Sequence, residues 1–160
     1  DKIQSFIWGE DPKSFASPFP WFYIASIDYP NDVDKFQFVH IFYDQSVPQS
    51  SLSNELGPIL ELIQPLTLLK IKANLLTRTP NIVENTFHID IDELSEEKQK
   101  QWTTSIFYVN TNNGYTKFED GTKVESVANR MITFPANMKH CGTSCTDERS
   151  RVVINFNYFK

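Results

Sequence analysis

Histidine is scarce in this sequence: His40, His88 and His140 are the only three in 160 residues. Cysteine is scarcer still. The two copies, Cys141 and Cys145, sit together in "CGTSC". Two cysteines make no disulfide framework, so a reducing compartment, and with it a cytoplasmic location, is expected. No Lys/Arg cluster stands out, and the net charge is −5. An acidic surface repels phosphate backbones, so no nucleic-acid partner is expected. No window approaches the roughly 18 apolar residues of a membrane helix, and no membrane partner is expected. No signal peptide is visible in the sequence, which starts at Asp1 and leaves room for a removed upstream segment. Internal repeats, low-complexity tracts and heptads are also missing, as is any linker. The expectation is one domain over 1–160, with residues 1–68 as a supporting region and 69–160 as the main body.

What is present is core-forming material. The sequence is 40% hydrophobic and 14% aromatic, with 13 phenylalanines. The first third is loop-rich, with Pro18, Pro20 and Pro30 around an aromatic run. "KFQFVHIFYD" (35–44) alternates and reads as a strand. Residues 45–53 read as a polar loop. Leu56, Ile59, Leu60 and Ile63 recur at helical spacing until Pro65 stops them. "LTLLKIKANLLT" reads as a long strand. Short strand-like runs then follow: "TFHIDI", "TSIFYVN", "TKFED", "RMITFP" and "RVVINFNYF". Turn signals in "NTNNGY" and "EDGT" separate them, and one helix is expected over 93–102. This spacing predicts a mainly β protein, a jelly roll with helices packed outside.

The segment "NTFHIDIDE" (85–93) places His88 two residues before Asp90. On a strand such residues share a face, and Phe87, Ile89 and Ile91 would point the other way. An imidazole and a carboxylate side by side suit a metal-ligand pair, an acid/base pair or a plain hydrogen bond. The pattern downstream adds weight to the first. His140 follows 50 residues after Asp90, in "FPANMKHCGTS". Arg151 opens the last strand among apolar neighbours, where an inward guanidinium is costly unless an anion meets it. Two histidines and one carboxylate form the facial triad of non-haem iron(II) oxygenases, which leaves coordination positions open.

With these residues in this order, the chain resembles the iron(II)- and 2-oxoglutarate-dependent dioxygenases, nearest to the prolyl-hydroxylase-like branch and its small phage versions. "FHID", "SIFYVN", "NGYTKF", "NRMITFPANMKH" and "RVVINFNYF" carry the resemblance over roughly residues 69–159. "PFPWFYI" and "KIKANLLTRT" resemble the upstream part less specifically. The resemblance implies a double-stranded β-helix with iron(II) on His88, Asp90 and His140. It implies 2-oxoglutarate as cosubstrate, its distal carboxylate held by Arg151, with Tyr108 and Thr116 beside it. Asn74 falls where relatives carry a tyrosine near the metal-side end of the cosubstrate. Asn113 replaces the first glycine of the usual pair, at a turn that a left-handed asparagine can take. The implied reaction turns 2-oxoglutarate and dioxygen into succinate and carbon dioxide while hydroxylating a C–H bond. A prolyl residue in a peptide or a small molecule is the implied substrate, and ascorbate comes with the same resemblance.

Plainer readings stand beside these. His40 has no motif partner and reads as a satisfied core histidine. Asp92 and Glu93 are rival carboxylates to Asp90, Asp92 reading rather as a helix cap. Arg149, in "TDERS", is the rival to Arg151 and reads as a solvated loop residue. Cys141 reads as a turn residue facing away from any metal. Trp8, Trp21 and Trp102 read as core or helix-packing residues, with Trp21 also a candidate for a substrate groove. A non-enzymatic jelly-roll binding module of cupin type is the main alternative function, and a zinc hydrolase with the same ligands the second. Arg151 separates them, because a mere binder has no need of a carboxylate anchor.

Overall fold

The structure, a computed structural model, describes residues 2–9, 19–27, 34–92 and 94–160. Glu93 and the prolines at 18 and 30 lie outside the described residues. Among the described residues ten strands are assigned: β1 (Phe22–Ile24), β2 (Gln37–Asp44), β3 (Val47–Pro48), β4 (Thr67–Thr77), β5 (Trp102–Tyr108), β6 (Tyr115–Phe118), β7 (Lys123–Glu125), β8 (Arg130–Pro135), β9 (His140–Gly142) and β10 (Ser150–Phe159). They form two antiparallel sheets. The larger runs β1-β2-β4-β10-β5-β8, with β3 against β2, and the smaller runs β7-β6-β9. The protein is mainly β and has the jelly-roll fold. No helix among the described residues is long and apolar enough to cross a membrane.

The alternation of the sequence decides which side chains go where. On the outer face of the larger sheet, Ile71, Ala73, Phe107, Val152, Ile154 and Phe156 form one buried apolar cluster. It is closed by Ile3 and Ile7 of helix α1 (Lys2–Trp8) and by Ile59 and Ile63 of α2 (Gly57–Ile63). Gln64 ends α2 in the left-handed conformation, one residue before Pro65. Between the sheets, Ile106, Tyr108, Phe134 and Val153 of the larger sheet meet Phe118 of the smaller one. Beyond this second cluster the sheets part, and a cavity opens.

β10 is the spine of the fold. It pairs with β4 on one side and β5 on the other, so that Val153 lies between Asn74 and Tyr108, and Asn155 between Lys72 and Ile106. The boundary expected at 68/69 falls inside β4, whose neighbours β2 and β10 come from opposite ends of the chain.

Several expected elements come out differently. "TFHIDI" is not a strand. His88 makes an isolated bridge with His140, each backbone N–H donating to the other's carbonyl at 3.0 Å. The chain then turns to bury Ile91, whose carbonyl accepts from Gln99 Nε2 at 3.2 Å. Phe87 stays 36% exposed, so the apolar residues of this run do not share a buried face. The helix expected over 93–102 is the single turn α3 (Glu96–Gln99), and its N-cap position is Ser95 rather than Asp92. The loop at 45–53 contains β3 and the start of a 3-10 helix (Ser51–Leu56). Cys141 lies in β9, not in a turn, and both cysteines are buried thiols. Asn113 does not adopt a left-handed backbone. Its side chain instead exchanges hydrogen bonds with Thr146, Nδ2 donating to Oγ1 at 2.7 Å and Oδ1 accepting from the backbone N–H at 2.9 Å.

Candidate metal and cosubstrate site

His88, Asp90 and His140 come together at one end of the cavity, with one potential ligand atom each, all within 4.8 Å of one another. His88 Nε2 and His140 Nε2 lie 3.6 and 3.8 Å from the same oxygen, Asp90 Oδ1. Donors about 2.1 Å from one ion cannot stand more than about 4.2 Å apart, so small ring rotations bring the three onto a common ion. Both rings are oriented the same way. His88 Nδ1 bonds to the carbonyl of Thr86 and His140 Nδ1 to that of Met138, each at 3.1 Å. A carbonyl only accepts, so Nδ1 carries the proton and Nε2 keeps its lone pair for a metal. The carboxylate is oriented too: Asn157 Nδ2 donates to Asp90 Oδ2 at 3.2 Å and to Thr104 Oγ1 at 3.0 Å. Among the described residues this is the one cluster of three or more such side chains that fits a metal, and its donor set suits iron(II).

The electrostatics follow from the shared carboxylate. Burial alone would raise the pKa of Asp90. The contact with His88 and the charges of His140, His88 and Lys72 outweigh it and hold the group well below the usual carboxylate range. Burial works against a charge on His88, whose side chain is nonetheless 47% exposed, and the attraction of Asp90 wins and raises its pKa. His140 is 2% exposed; there burial dominates and lowers the pKa.

Arg151 marks the other end. It is 3% exposed and projects from β10 on the same face as Val153 and Asn155, all three lining the cavity. Its Nε donates to Ser126 Oγ at 2.8 Å and its Nη2 to Thr116 Oγ1 at 3.1 Å. Tyr108 donates to the same Thr116 oxygen at 2.7 Å, and the guanidinium lies 5.6 Å from the Tyr108 ring centre. Tyr108 itself sits beneath the wall and not on it, reaching the cavity through Thr116. Burial pushes the Tyr108 hydroxyl pKa up and the Arg151 pKa down. Among the described residues no carboxylate lies against Arg151. Gly114 is required by this packing: a Cβ there would stand 2.7 Å from both Arg151 Cδ and the Ser144 carbonyl.

The sequence-predicted residues thus converge. His88, Asp90, His140, Thr116, Asn74 and Arg151 all line one cavity of ≈ 100 Å³. Arg149 is exposed on a bend and takes no part. His40 is 3% exposed and satisfied by Pro20 O at 2.8 Å and Ser50 Oγ at 3.0 Å, a core histidine as expected. Sequence reasoning missed Lys72, Gln37, Asn85, Ser126 and Asn157. The resemblance placed Asn74, and the period-2 rule applied from there would have placed Lys72, two residues earlier on the same face. Asn85 and Ser126 lie in loops and carried no such signal.

No family model matches the chain. No curated protein matches it either. Among solved structures, the chain is similar to an oxidoreductase of the 2OG-Fe(II) oxygenase family from Burkholderia pseudomallei, with a TM-score of 0.61 at 10% identity, over 88% of this chain and 73% of that one. It is also similar to an RmlC-like cupin from Desulfovibrio desulfuricans, with a TM-score of 0.41 at 12% identity over 56% of this chain and 70% of that one. KdgF from Halomonas sp. gives 0.45 at 11% identity over 78% and 80%. At 10% identity the likeness to the Burkholderia structure concerns the fold alone, a jelly roll, here with a candidate metal-ligand cluster between its sheets.

Proposed function

We propose that the chain is an iron(II)- and 2-oxoglutarate-dependent oxygenase that hydroxylates a C–H bond. The observation that carries this reading is Arg151. A buried guanidinium with only hydroxyl partners needs an anion, because an unpaired buried charge costs several kcal/mol, on the order of 3–5 when a partner is removed. The cavity joins that guanidinium to a two-histidine, one-carboxylate cluster. A short dicarboxylate with a metal-binding 2-oxo acid at its other end satisfies both.

In this reading His88, Asp90 and His140 hold the metal through Nε2, Oδ1 and Nε2. Bound iron(II), with 2-oxoglutarate and dioxygen, supplies the oxidative decarboxylation and the hydroxylation. The chain supplies position. Asn157 fixes the carboxylate, and the Thr86 and Met138 carbonyls fix the imidazole tautomers. Arg151 takes the distal carboxylate of the cosubstrate in a charge-assisted bond, with Thr116 set by Tyr108 to add another. Ile106 and Val153 keep the floor between the two ends apolar and poor in water. A prolyl residue or a small molecule as substrate, and ascorbate as an adjunct, belong to the same proposal.

Anaerobic titration with iron(II), alone and with 2-oxoglutarate, tests it. A metal-to-ligand charge-transfer band is expected only when both are present, followed by succinate on admitting oxygen. Replacing Asp90 by Ala should remove tight metal binding while leaving the thermal transition cooperative. Metal binding without any response to 2-oxoglutarate would return the chain to the binding-module reading.

A further inference from the structure

The cavity has a second polar wall, one strand to the side of the proposed cosubstrate path. That path runs from Arg151 to the metal cluster over β10 and β5. On β4, Lys72, Asn74 and Leu76 line the cavity, joined by Gln37 at the start of β2. Neighbouring strands lie about 4.8 Å apart, and β10 separates this wall from Tyr108 on β5.

Lys72 is half-buried. The carboxylates around it are committed elsewhere. Asp44 pairs with Lys70 at 3.9 Å, and Asp90 is engaged by both histidines and Asn157. Among the described residues none closes an ion pair with Lys72. Directly across the β4–β10 ladder from Lys72 stands Asn155. Asn155 is 9% exposed, and its Oδ1 is the one buried side-chain polar atom among the described residues with no hydrogen-bond partner. A cation outside any close ion pair, with only the longer-range attraction of Asp90 and Asp44, and an amide oxygen without its partner face each other across one ladder on the cavity lining, and a bound polar ligand would complete both.

We propose that Lys72 and Asn155, with Asn74 beside them, form a second anion subsite that receives the carboxylate of the molecule to be hydroxylated. The inference rests on the oxygenase reading of the same cavity. The two carboxylates of 2-oxoglutarate are already placed, one at Arg151 and one at the metal. The anion left for Lys72 is therefore the substrate's own. The unpartnered Asn155 amide adds a requirement: an N–H or O–H close to that carboxylate. The substrate class is a small carboxylate-bearing molecule with a donor beside the acid group.

N-acetylglycine, which carries both features, is the test probe, and N-acetylglycinamide is its neutral control. Binding is followed by ligand-observed NMR on protein saturated with manganese(II) and 2-oxoglutarate, which fills the Arg151 end. The acid should bind at least ~10-fold more tightly than the amide, with its methyl protons broadened by the manganese. Lys72→Met should reduce the acid to the level of the amide, and Lys72→Arg should restore most of the difference. Affinity for 2-oxoglutarate should stay within about twofold in both variants, and a cooperative melting transition confirms that each is folded. Equal binding of acid and amide, or preference surviving in Lys72→Met, overturns the proposal. So does a large loss of 2-oxoglutarate affinity in Lys72→Met, which would give Lys72 to the cosubstrate. Should wild-type protein fail to bind 2-oxoglutarate, the oxygenase reading fails separately. The comparison of Lys72→Met with wild type, repeated on protein without additions, then still decides the subsite.

Discussion

The two faces of β10 follow opposite rules. Its outer face presents Val152, Ile154 and Phe156 to the helices, all fully buried in an apolar cluster. Its inner face carries Arg151, Val153 and Asn155, which line the cavity, and Asn157, which backs Asp90; three of the four are polar and all are no more than 9% exposed. The strand is buried on both sides, yet only one side is apolar. Burial is therefore a poor guide to purpose here, and the chemistry of what is buried is a better one. The outer face is satisfied by contact alone. The inner face is satisfied only in part: Asn157 has its partners, Arg151 has hydroxyls but no anion, and Asn155 Oδ1 has nothing.

The difference predicts that the faces separate stability from binding. Truncating the outer face should show the largest effect. Phe156→Ala removes a fully buried ring from the centre of the main cluster. A loss of about 3–5 kcal/mol is expected in denaturant unfolding, with metal affinity of the folded fraction unchanged. A loss below about 1 kcal/mol would mean that the helix layer is not a packed part of the core.

The inner face should respond the other way. Arg151→Ala should weaken 2-oxoglutarate strongly and metal hardly at all. Losing a buried charge-assisted pair costs ~2–5 kcal/mol. At ~1.4 kcal/mol per tenfold, that is roughly 30-fold or more in affinity. Arg151→Lys should recover part of it, since it keeps the charge and loses the planar fork. Calorimetric titration with manganese(II) in place of iron gives the number. Unchanged affinity in Arg151→Ala would remove the observation on which the oxygenase reading rests.

How far these faces could be read from the sequence depended on local order. In "RSRVVINFNYF" strict alternation gave the register of β10, and the structure places Arg151, Val153 and Asn155 on one face as expected. In "SIFYVN" and "KIKANLL" it was the family resemblance that put Tyr108 and Asn74 near the site. "FHID" alternates just as well, and there the rule failed. The two ligands meet, but through one bridge to His140 and a turn, not through a strand. Alternation reports which side chains share a side; it does not report whether a neighbouring strand is there to pair with. The helix at 93–102 shrank to one turn for a related reason: its polar residues offer no apolar stripe to bury, and propensity alone does not hold a short helix. Ser126 and Asn85 reach the site from loops, where no period exists to reveal them.

The metal end should reveal itself through pH. The raised pKa of His88 means that its proton is bound more tightly in the folded chain than in the unfolded one. That contribution to stability is present below about pH 6.5, the ordinary histidine value, and fades as pH rises through the raised value. His140, with its lowered pKa, acts in the opposite sense, and its penalty grows as pH falls through 6.5. A metal needs both imidazoles neutral. As pH is lowered, metal affinity should therefore begin to fall before pH 6.5 is reached, where His88 with its raised pKa first protonates, by about tenfold per pH unit for that single proton. Melting temperatures with and without manganese(II) at pH 6 and pH 8 measure it. A metal-induced shift equal at both values would take the histidines out of the ligand set.

The smallest effect sharpens the comparison most. Arg149 and Arg151 are two residues apart and carry the same charge, but Ser150 is where β10 begins. Arg151 is therefore held by ladder bonds to β4 and turned into the cavity, while Arg149 is exposed on the bend before it. Its one structural task belongs to its backbone, whose carbonyl accepts from the Arg78 N–H at 2.9 Å. A side-chain truncation leaves that bond intact. An exposed substitution away from any cap or network stays within about 0.5 kcal/mol. Arg149→Ala should accordingly change stability by no more than that, and 2-oxoglutarate affinity by less than about threefold. A threefold limit at 149 against a loss of roughly 30-fold or more at 151 separates a side effect of net charge from a specific anchor. If the two variants weaken 2-oxoglutarate equally, the cavity attracts its anion through the general field of the final strand, and the planar fork of Arg151 has no special part in it.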